Sequence, residues 1–301
     1  MERIRLGTCS LEHPIFNGAG SVKKLADVEK LARSAVSAIT LGSITLQPRE
    51  GNVGQVWAQA DGYCLNSLGL PNPGLPYYQD HLGEMVALAE NVGKPLIVSV
   101  AGYHPDEYRQ LARVAHNNGA SMVELNLGCP NVWGDDGKQK PIASFNPFLV
   151  AEIINLVKEV VPAHGFGLKL SPYSNPGDLL ELMDVLQSFS SYVGFITMTN
   201  TFPNAYGRAN NRQMIDVGAG FAGMSGKALK PIALGQVLQA FSILEGDEIQ
   251  IIGVGGITTG QDVVDFIASG ATAVQVVSHY VDHENPGVFS DLLSEYVGLV
   301  S

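Results

Sequence analysis

The residues with the clearest chemical potential lie at 124–131, where an apolar run ends in two asparagines, a cysteine and a proline. If residues 122–127 form a buried parallel strand, Asn126, Cys129 and Asn131 follow its carboxyl end, where α/β barrels place their catalytic groups. A free cysteine is often only a small buried hydrophobe. The assignment of Cys129 as a catalytic residue therefore depends on which other groups reach the same rim.

A lysine interrupts another apolar strand further along the chain. Lys169 lies in Gly167-Leu168-Lys169-Leu170-Ser171-Pro172, and a lysine is almost never fully buried unless it is paired. A lysine in a barrel mouth is expected to meet an anion or to take part in the chemistry. Two chemistries stay open, a Schiff base with a carbonyl substrate and a positive charge beside an electron-rich cofactor.

Several amide side chains are expected to converge on the same place. Asn66, Asn126, Asn131 and Asn200 all follow apolar runs, and Thr201 comes directly after Asn200. A side-chain amide donates and accepts hydrogen bonds at once, so a ring of amides suits a planar heterocycle with alternating N–H and C=O groups. A pyrimidine has this pattern.

Glycines near the end of the chain indicate an anion site. Gly255 and Gly256 end one predicted strand, Val277 and Ser278 end the next, and Gly226 precedes a predicted helix. Barrels commonly bind phosphate at the loops after strands seven and eight, where backbone amides approach the oxygens. The pattern favours a phosphorylated ligand.

No metal site is predicted. Asp135 and Asp136 form an acidic pair that we interpret as a polar turn, since no further carboxylates accompany it.

Short apolar runs alternate with segments of helical period, as in repeated βα units. Helices are predicted at 107–117, 147–161, 178–188, 231–244 and 261–268, with Asp106, Asn146 and Thr259 as cap or first-turn residues. Strands are predicted at 13–17, 38–41, 96–100, 122–127, 165–170, 194–199, 249–253 and 273–277.

Eight strands with a helix after most of them predict an α/β fold, a (β/α)8 TIM barrel that forms one domain over residues 1–301. The long connections 43–94 and 200–227 are expected to fold over the carboxyl-terminal mouth as a lid or small sheet. An open doubly wound sheet is the alternative, but 253–256 is no full G-x-G-x-x-G turn.

Composition excludes several classes of partner. The formal net charge of −11 and the absence of a basic block argue against nucleic acid and anionic membranes. A bound anion would have to be held locally, by backbone amides and single basic side chains. No run reaches the length of a membrane span, and three cysteines without paired spacing suit a reducing cytoplasm.

Taken together, these motifs resemble the soluble cysteine-type (class 1) dihydroorotate dehydrogenases over nearly the whole chain. The resemblance implies an FMN-containing barrel that oxidises dihydroorotate to orotate in pyrimidine biosynthesis. The segments that carry it, in order and spacing, are 17–20, 45–52, 65–72, 124–132, 167–173, 198–201, 223–234 and 251–262.

The resemblance also implies roles for single residues. Cys129 would be the base, since a thiol with a pKa of about 8.5 leaves a usable thiolate fraction when its neighbours lower that pKa modestly. The pyrimidine would be held by Asn66, Leu68, Gly69, Leu70, Asn126, Asn131, Asn200 and Thr201. FMN would contact Ala19, Gly20, Ser43, Ser99, Asn126, Lys169, Gly226, Gly255, Gly256, Val277 and Ser278.

The sequence departs from the family at the end of the second strand. There the family has a lysine that touches the flavin and the carboxylate side of the substrate, and the matching residue here is Gly42. Arg49 is the candidate to replace that charge. The eighth strand reads Val277-Ser278 where the family has Gly-Thr.

These departures leave alternatives open. A related flavoprotein acting on a neutral dihydropyrimidine or cyclic amide, a flavin-free Schiff-base lyase and a ligand-binding regulator without catalysis all stay possible. The electron acceptor is either fumarate or a partner subunit that carries FAD and an iron–sulfur cluster. A homodimer is expected by analogy.

Overall fold

A computed structural model describes residues 2–133 and 138–301, so the prediction for Asp135 and Asp136 lies outside the described residues. Strands β1 to β16 are Ile4–Leu6, Cys9–Leu11, Ile15–Asn17, Ile39–Ile44, Trp57–Ala60, Tyr63–Asn66, Leu96–Val100, Met122–Asn126, Phe166–Lys169, Val193–Met198, Phe202–Ala205, Arg208–Ala209, Arg212–Gln213, Ala222–Ser225, Gln250–Val254 and Ala273–Val276. Helices α1 to α9 are Leu25–Ala32, Gly74–Glu90, Pro105–Asn117, Pro147–Val157, Pro176–Gln187, Lys230–Leu244, Gly260–Ala268, Ser278–His283 and Gly287–Val300.

Eight parallel strands form the barrel in the order β3-β16-β15-β10-β9-β8-β7-β4. Each of the eight predicted runs overlaps one of these strands, and the TIM barrel prediction is confirmed. The strands are buried on both faces, which explains their continuous apolar sequences. Parallel pairing in register aligns their carboxyl ends, as for Asn126 beside Lys169 in β8 and β9.

A side chain joins the first and last strands of this order. The Asn17 side-chain amide donates to the Thr40 carbonyl oxygen at 2.8 Å and accepts from the Thr40 N–H at 2.9 Å. These two bonds reproduce the pattern of a backbone ladder between β3 and β4. Asn17 therefore closes the seam of the barrel with its side chain.

The predicted helices are present, with caps of the expected chemistry. Asn146 accepts from the Leu149 N–H at the start of α4, and Thr259 forms a capping box with Asp262 at the start of α7. Helix α3 begins at Pro105, and Asp106 lies in its first turn. Helices α1, α2, α8 and α9 were not predicted, and α2 lies inside the connection 43–94.

The two long connections meet in a separate sheet, which confirms the predicted small sheet. Strands β11, β14, β6 and β5 pair antiparallel in that order. The sheet has its own apolar cluster of Leu65, Ile215, Val217 and Ala222. Because β6 ends at Asn66 and β14 pairs with it, this sheet supports the polar residues that face the barrel mouth.

Within the described part of the chain, no helix has the length and apolar character needed to span a membrane.

Candidate active site

A cavity lies at the carboxyl ends of the barrel strands, under the small sheet, and its empty space is about 1090 Å³ when the open mouth is included. Almost all of the predicted site residues line it, with the exceptions of Ser99 and Gly226. Ser99 does not line the cavity, but its hydroxyl lies 3.0 Å from the hydroxyl of Ser43, which does. The lining residues include Ala19, Gly20, Ser43, Asn66, Leu68, Gly69, Leu70, Asn126, Cys129, Asn131, Lys169, Asn200, Thr201, Gly255, Gly256, Val277 and Ser278.

The four predicted asparagines line this cavity as two hydrogen-bonded pairs. The Asn131 amide donates to the Asn66 Oδ1 at 2.7 Å, and the Asn200 amide donates to the Asn126 Oδ1 at 3.0 Å. Asn126 in turn donates to the Ser43 hydroxyl at 2.8 Å. Each pair fixes the orientation of its amides and leaves further donors and acceptors for a ligand. The pairing is chemically suited to a ring that carries both N–H and C=O groups.

Cys129 lies in the wall between this cavity and a second one of about 830 Å³. It is a free thiol and partly exposed. Burial raises its pKa above the ordinary value, while the Asn131 N–H and the cations Lys23, Arg49 and Lys169 lower it in part. The expectation that neighbours lower the thiol pKa overall was wrong, because desolvation exceeds their effect.

Lys169 is buried and belongs to a polar network inside the barrel. Its Nζ donates to Gln275 Oε1 at 3.2 Å, and Gln275 Nε2 donates to the Glu124 carboxylate at 2.9 Å. The Thr197 hydroxyl donates to the same carboxylate oxygen at 2.9 Å. Burial lowers the Lys169 pKa, and the negative charges of Glu124 and Cys129 raise it in part. The network holds one cation at the floor of the cavity.

The other end of the cavity is built from backbone and hydroxyl groups. Gly255 and Gly256 have φ of +139° and +71°, where only glycine fits without strain. A Cβ on Gly256 would lie 2.7 Å from the Gly226 carbonyl oxygen, so the backbones are in close contact. The Ser225 hydroxyl is buried here without a partner among the described residues. This end has the donors and the space for an anionic group.

Several lining residues were missed by the sequence reasoning. Lys23, Trp57, Thr199, Ser225 and Gln275 all line the cavity. Lys23 reaches the cavity through the bridge between Val22 and Gly42, which local sequence patterns do not indicate. Thr199 and Ser225 lie in the segments 198–201 and 223–234 but were not named as site residues, and Trp57 and Gln275 follow no motif in the sequence.

Arg49, the expected replacement for the missing charge, does not belong to the cavity lining. Its Nε donates to the Gly69 carbonyl oxygen at 3.0 Å, and its guanidinium lies 5.3 Å from the Tyr103 ring centroid. Arg49 therefore stabilises the backbone of Gly69, a lining residue, without lining the cavity itself.

In residues 2–133 and 138–301, no group of three or more His, Cys, Asp or Glu side chains could hold a metal ion. The cavity is lined by the paired asparagine amides, by Lys169 and by the glycine-rich loop at Gly255 and Gly256. Such a set of groups fits a ligand with a planar polar ring and an anionic tail.

The comparisons with known proteins agree with one another. A family model described as "Dihydroorotate dehydrogenase" matches residues 4–297. The catalytic subunit of dihydroorotate dehydrogenase B (NAD(+)) from Methanopyrus kandleri is 34% identical over 271 residues, which are 88% of this chain and 81% of that protein. Dihydroorotate dehydrogenase A (fumarate) from Lactococcus lactis subsp. cremoris is 32% identical over 297 residues, or 94% and 89% of the two chains.

A solved structure shows the same fold. The crystal structure of DHODH in complex with ferulenol from Eimeria tenella superposes with a TM-score of 0.81, covering 99% of this chain and 84% of that one. Sequence identity to it is 18%, so this likeness concerns the architecture alone.

Proposed function

This chain belongs to the dihydroorotate dehydrogenase family, and we propose that it binds FMN in the barrel mouth and uses Cys129 as the catalytic base. Membership makes it a flavin oxidoreductase that oxidises dihydroorotate to orotate, a step of pyrimidine biosynthesis. Residues 1–301 would act as one FMN-binding barrel domain.

The described residues fit FMN. The backbone amides at Gly255, Gly256, Val277 and Ser278, with the unpartnered Ser225 hydroxyl, would hold the phosphate. Ala19, Gly20 and Ser43, with Ser99 behind them, would lie along the rest of the cofactor. Lys169 would place its positive charge against the ring, where it favours added electrons. When bound, FMN supplies the acceptor for the hydride that leaves C6 of the substrate.

Cys129 would then remove the proton from C5. The C5–H bond breaks with its proton going to Sγ, and its electron pair forms the C5=C6 double bond as the C6–H pair leaves as hydride. The paired amides would hold the ring during this step, Asn66 with Asn131 on one side and Asn126 with Asn200 on the other. The turn Leu68–Leu70 and Thr201 complete the enclosure.

The observation that carries this proposal is the convergence of Cys129, the two asparagine pairs and Lys169 on one cavity. A Schiff-base lyase would need Lys169 but would have no use for the thiol or for the amides. Reduction with borohydride in the presence of a carbonyl substrate would trap such an enzyme on Lys169, whereas an FMN enzyme has no covalent adduct to trap.

The experiment is a comparison of substrates. Purified protein is incubated with dihydroorotate or with dihydrouracil, the same ring without its carboxylate, and with a redox dye as acceptor. Formation of orotate at a rate well above that of uracil supports dihydroorotate as the substrate. Faster oxidation of dihydrouracil, or no orotate at saturating dihydroorotate, overturns that choice.

The natural electron acceptor is proposed to be fumarate or a partner subunit with FAD and an iron–sulfur cluster. Curated relatives of both kinds match this chain. Turnover of dihydroorotate with fumarate alone identifies the first, and dependence on an added FAD and iron–sulfur protein identifies the second. A homodimer is proposed as the assembly, to be tested by the mass in solution.

A further inference from the structure

We infer that Lys23 binds the carboxylate of the substrate and so supplies the charge that a lysine at the position of Gly42 would otherwise provide. The inference rests on the proposed function, since it concerns the anionic group of dihydroorotate. It deepens that function by naming the residue that makes the site selective for an acid over a neutral ring.

Gly42 has no space for a side chain. Its φ is +109°, and a Cβ placed on it would lie 2.3 Å from the Ser99 carbonyl oxygen and 2.9 Å from the Ile44 nitrogen. Real Cβ atoms do not approach backbone atoms so closely, so a lysine here would require the strand to move. The charge missing from the second barrel strand therefore has to come from another segment.

The segment that packs on Gly42 carries Lys23. The Gly42 N–H donates to the Val22 carbonyl oxygen at 2.9 Å, and the two residues form an antiparallel bridge. Lys23 follows Val22 directly and enters the large cavity, which Cys129 also lines. The cation is thus carried by the neighbouring loop, adjacent to the position where the family's lysine would stand.

Next to Lys23 lies a turn whose N–H groups are unused. The Lys23 Nζ donates to the Pro71 carbonyl oxygen, immediately after Leu68, Gly69 and Leu70. The carbonyl oxygens of this turn accept from Asn52 N–H, Arg49 Nε and Asn72 Nδ2 respectively. Among the described residues, no acceptor is found for the three N–H groups of the turn.

The conformation of this turn suits an anion. Gly69 and Leu70 have φ of +76° and +59°, and a bulky residue such as Leu70 rarely adopts the left-handed region. Successive N–H groups in such turns form a concave site for anions, and a backbone outlier of this kind is typical of ligand sites. Lys23 lies inside the cavity and adds a full positive charge to the partial positive charges of these N–H groups.

The charge on Lys23 is available to a ligand. The nearby Asp27 carboxylate accepts from the backbone N–H groups of Lys23 and Lys24, at 2.9 Å each, and not from the ammonium. Burial lowers the Lys23 pKa to about 8, with Cys129 and Asp27 opposing the shift, so the ammonium is mostly charged at neutral pH. In a protein of net charge −11, such a local cation is what an anionic substrate requires.

The test compares two ligands that differ only in the carboxylate. Binding of orotate and of uracil to the purified holoprotein is measured by titration calorimetry, for the wild type, Lys23→Gln and Lys23→Arg. Glutamine still donates to the Pro71 carbonyl but has no charge, so it separates binding from support of the loop. Lys24→Gln is the matched control, because Lys24 is exposed and lies beside Lys23 at the start of α1.

Lys23→Gln is expected to weaken orotate binding about ten- to a hundredfold, the usual size of a charge-assisted contact to a carboxylate. Uracil binding should change by less than about twofold, and Lys23→Arg should restore most of the orotate affinity. Equal orotate binding by Lys23→Gln and the wild type overturns the inference, as does equal loss of both ligands. A wild type that binds no orotate instead contradicts the proposed function.

Discussion

At the residue level, the proposed catalysis depends on the ionisation of the Cys129 thiol. As the proposed base, Cys129 would act only as the thiolate, and burial raises its pKa. Lys23, Arg49 and Lys169 recover part of the thiolate population through their positive charges. This balance differs from that of Cys9 and Cys64, whose pKa values burial raises to about 11 and about 12. Among these three cysteines, Cys129 is the one that several cations surround.

The pH dependence of catalysis follows from this balance. Because the reactive form is deprotonated and its pKa is raised, the rate of flavin reduction by dihydroorotate should increase with pH across the neutral range. An increase of about tenfold per pH unit is expected between about pH 6 and 8, as for a base with a single pKa above that range. Stopped-flow absorbance of the flavin measures it, and a rate that falls or stays constant with rising pH would exclude Cys129 as the base.

Replacement of the thiol gives a second prediction. Cys129→Ser should keep the flavin bound and slow its reduction by about 10²- to 10⁴-fold near neutral pH, since a serine hydroxyl is a far weaker base. Cys9→Ser, a change at a cysteine in β2 that does not line the cavity, serves as the control and should leave the rate unchanged. Unchanged reduction in Cys129→Ser would remove this residue from the mechanism.

At the scale of elements, the barrel seam makes the site possible. Asn17 holds β3 to β4 through both faces of its amide and is fully buried. The loop after β3 then carries Ala19, Gly20 and Lys23 into the cavity. The position of this loop in the cavity wall therefore depends on the Asn17 side chain, which replaces backbone hydrogen bonds between β3 and β4.

Loss of this amide should weaken the fold. Asn17→Ala leaves the Thr40 N–H and C=O groups buried without partners, at about 1–3 kcal/mol each, so the free energy of unfolding should fall by about 2–4 kcal/mol. Urea denaturation measures the change. Asn117→Ala, at an exposed position of α3, should stay within about 0.5 kcal/mol of the wild type. Equal stability of the two variants would show that the seam does not depend on Asn17.

The conformation of β4 gives a further prediction for the fold. Gly42→Lys, which would place a lysine at this position, should destabilise the protein by more than about 2 kcal/mol, because its Cβ meets the Ser99 carbonyl oxygen. Most of this loss should already appear in Gly42→Ala. Gly235→Ala in α6, where nothing lies within 4 Å of the new Cβ, is the control and should be neutral or stabilising. A Gly42→Lys protein as stable as the wild type would contradict the steric argument.

Local patterns in the sequence predicted most of the elements that matter for the site. The eight strands were predictable because each is a mostly apolar run, and Asn146 and Thr259 were predictable as caps because capping is local. Lys23 was not, because its position in the cavity depends on the bridge between Val22 and Gly42, which joins segments about twenty residues apart. The pKa of Cys129 was misjudged for a similar reason, since burial belongs to the folded molecule.

In the molecule as a whole, the barrel and the small sheet each contribute residues to the site. The barrel supplies Cys129, Lys169 and the glycine-rich end, and the sheet brings Asn66 over the mouth from the connection after the second barrel strand. The cavity between them has a fixed cation at its floor and a second cation, Lys23, at its wall. An acidic protein can in this way place positive charge beside an anionic substrate without a basic surface.

An anaerobic titration of the purified protein with dihydroorotate, followed by the flavin absorbance, tests whether this substrate reduces the flavin. We predict that the visible flavin band bleaches, with one orotate formed for each flavin reduced. A flavin band that stays unchanged at saturating dihydroorotate, in a protein whose flavin dithionite reduces, would contradict the account.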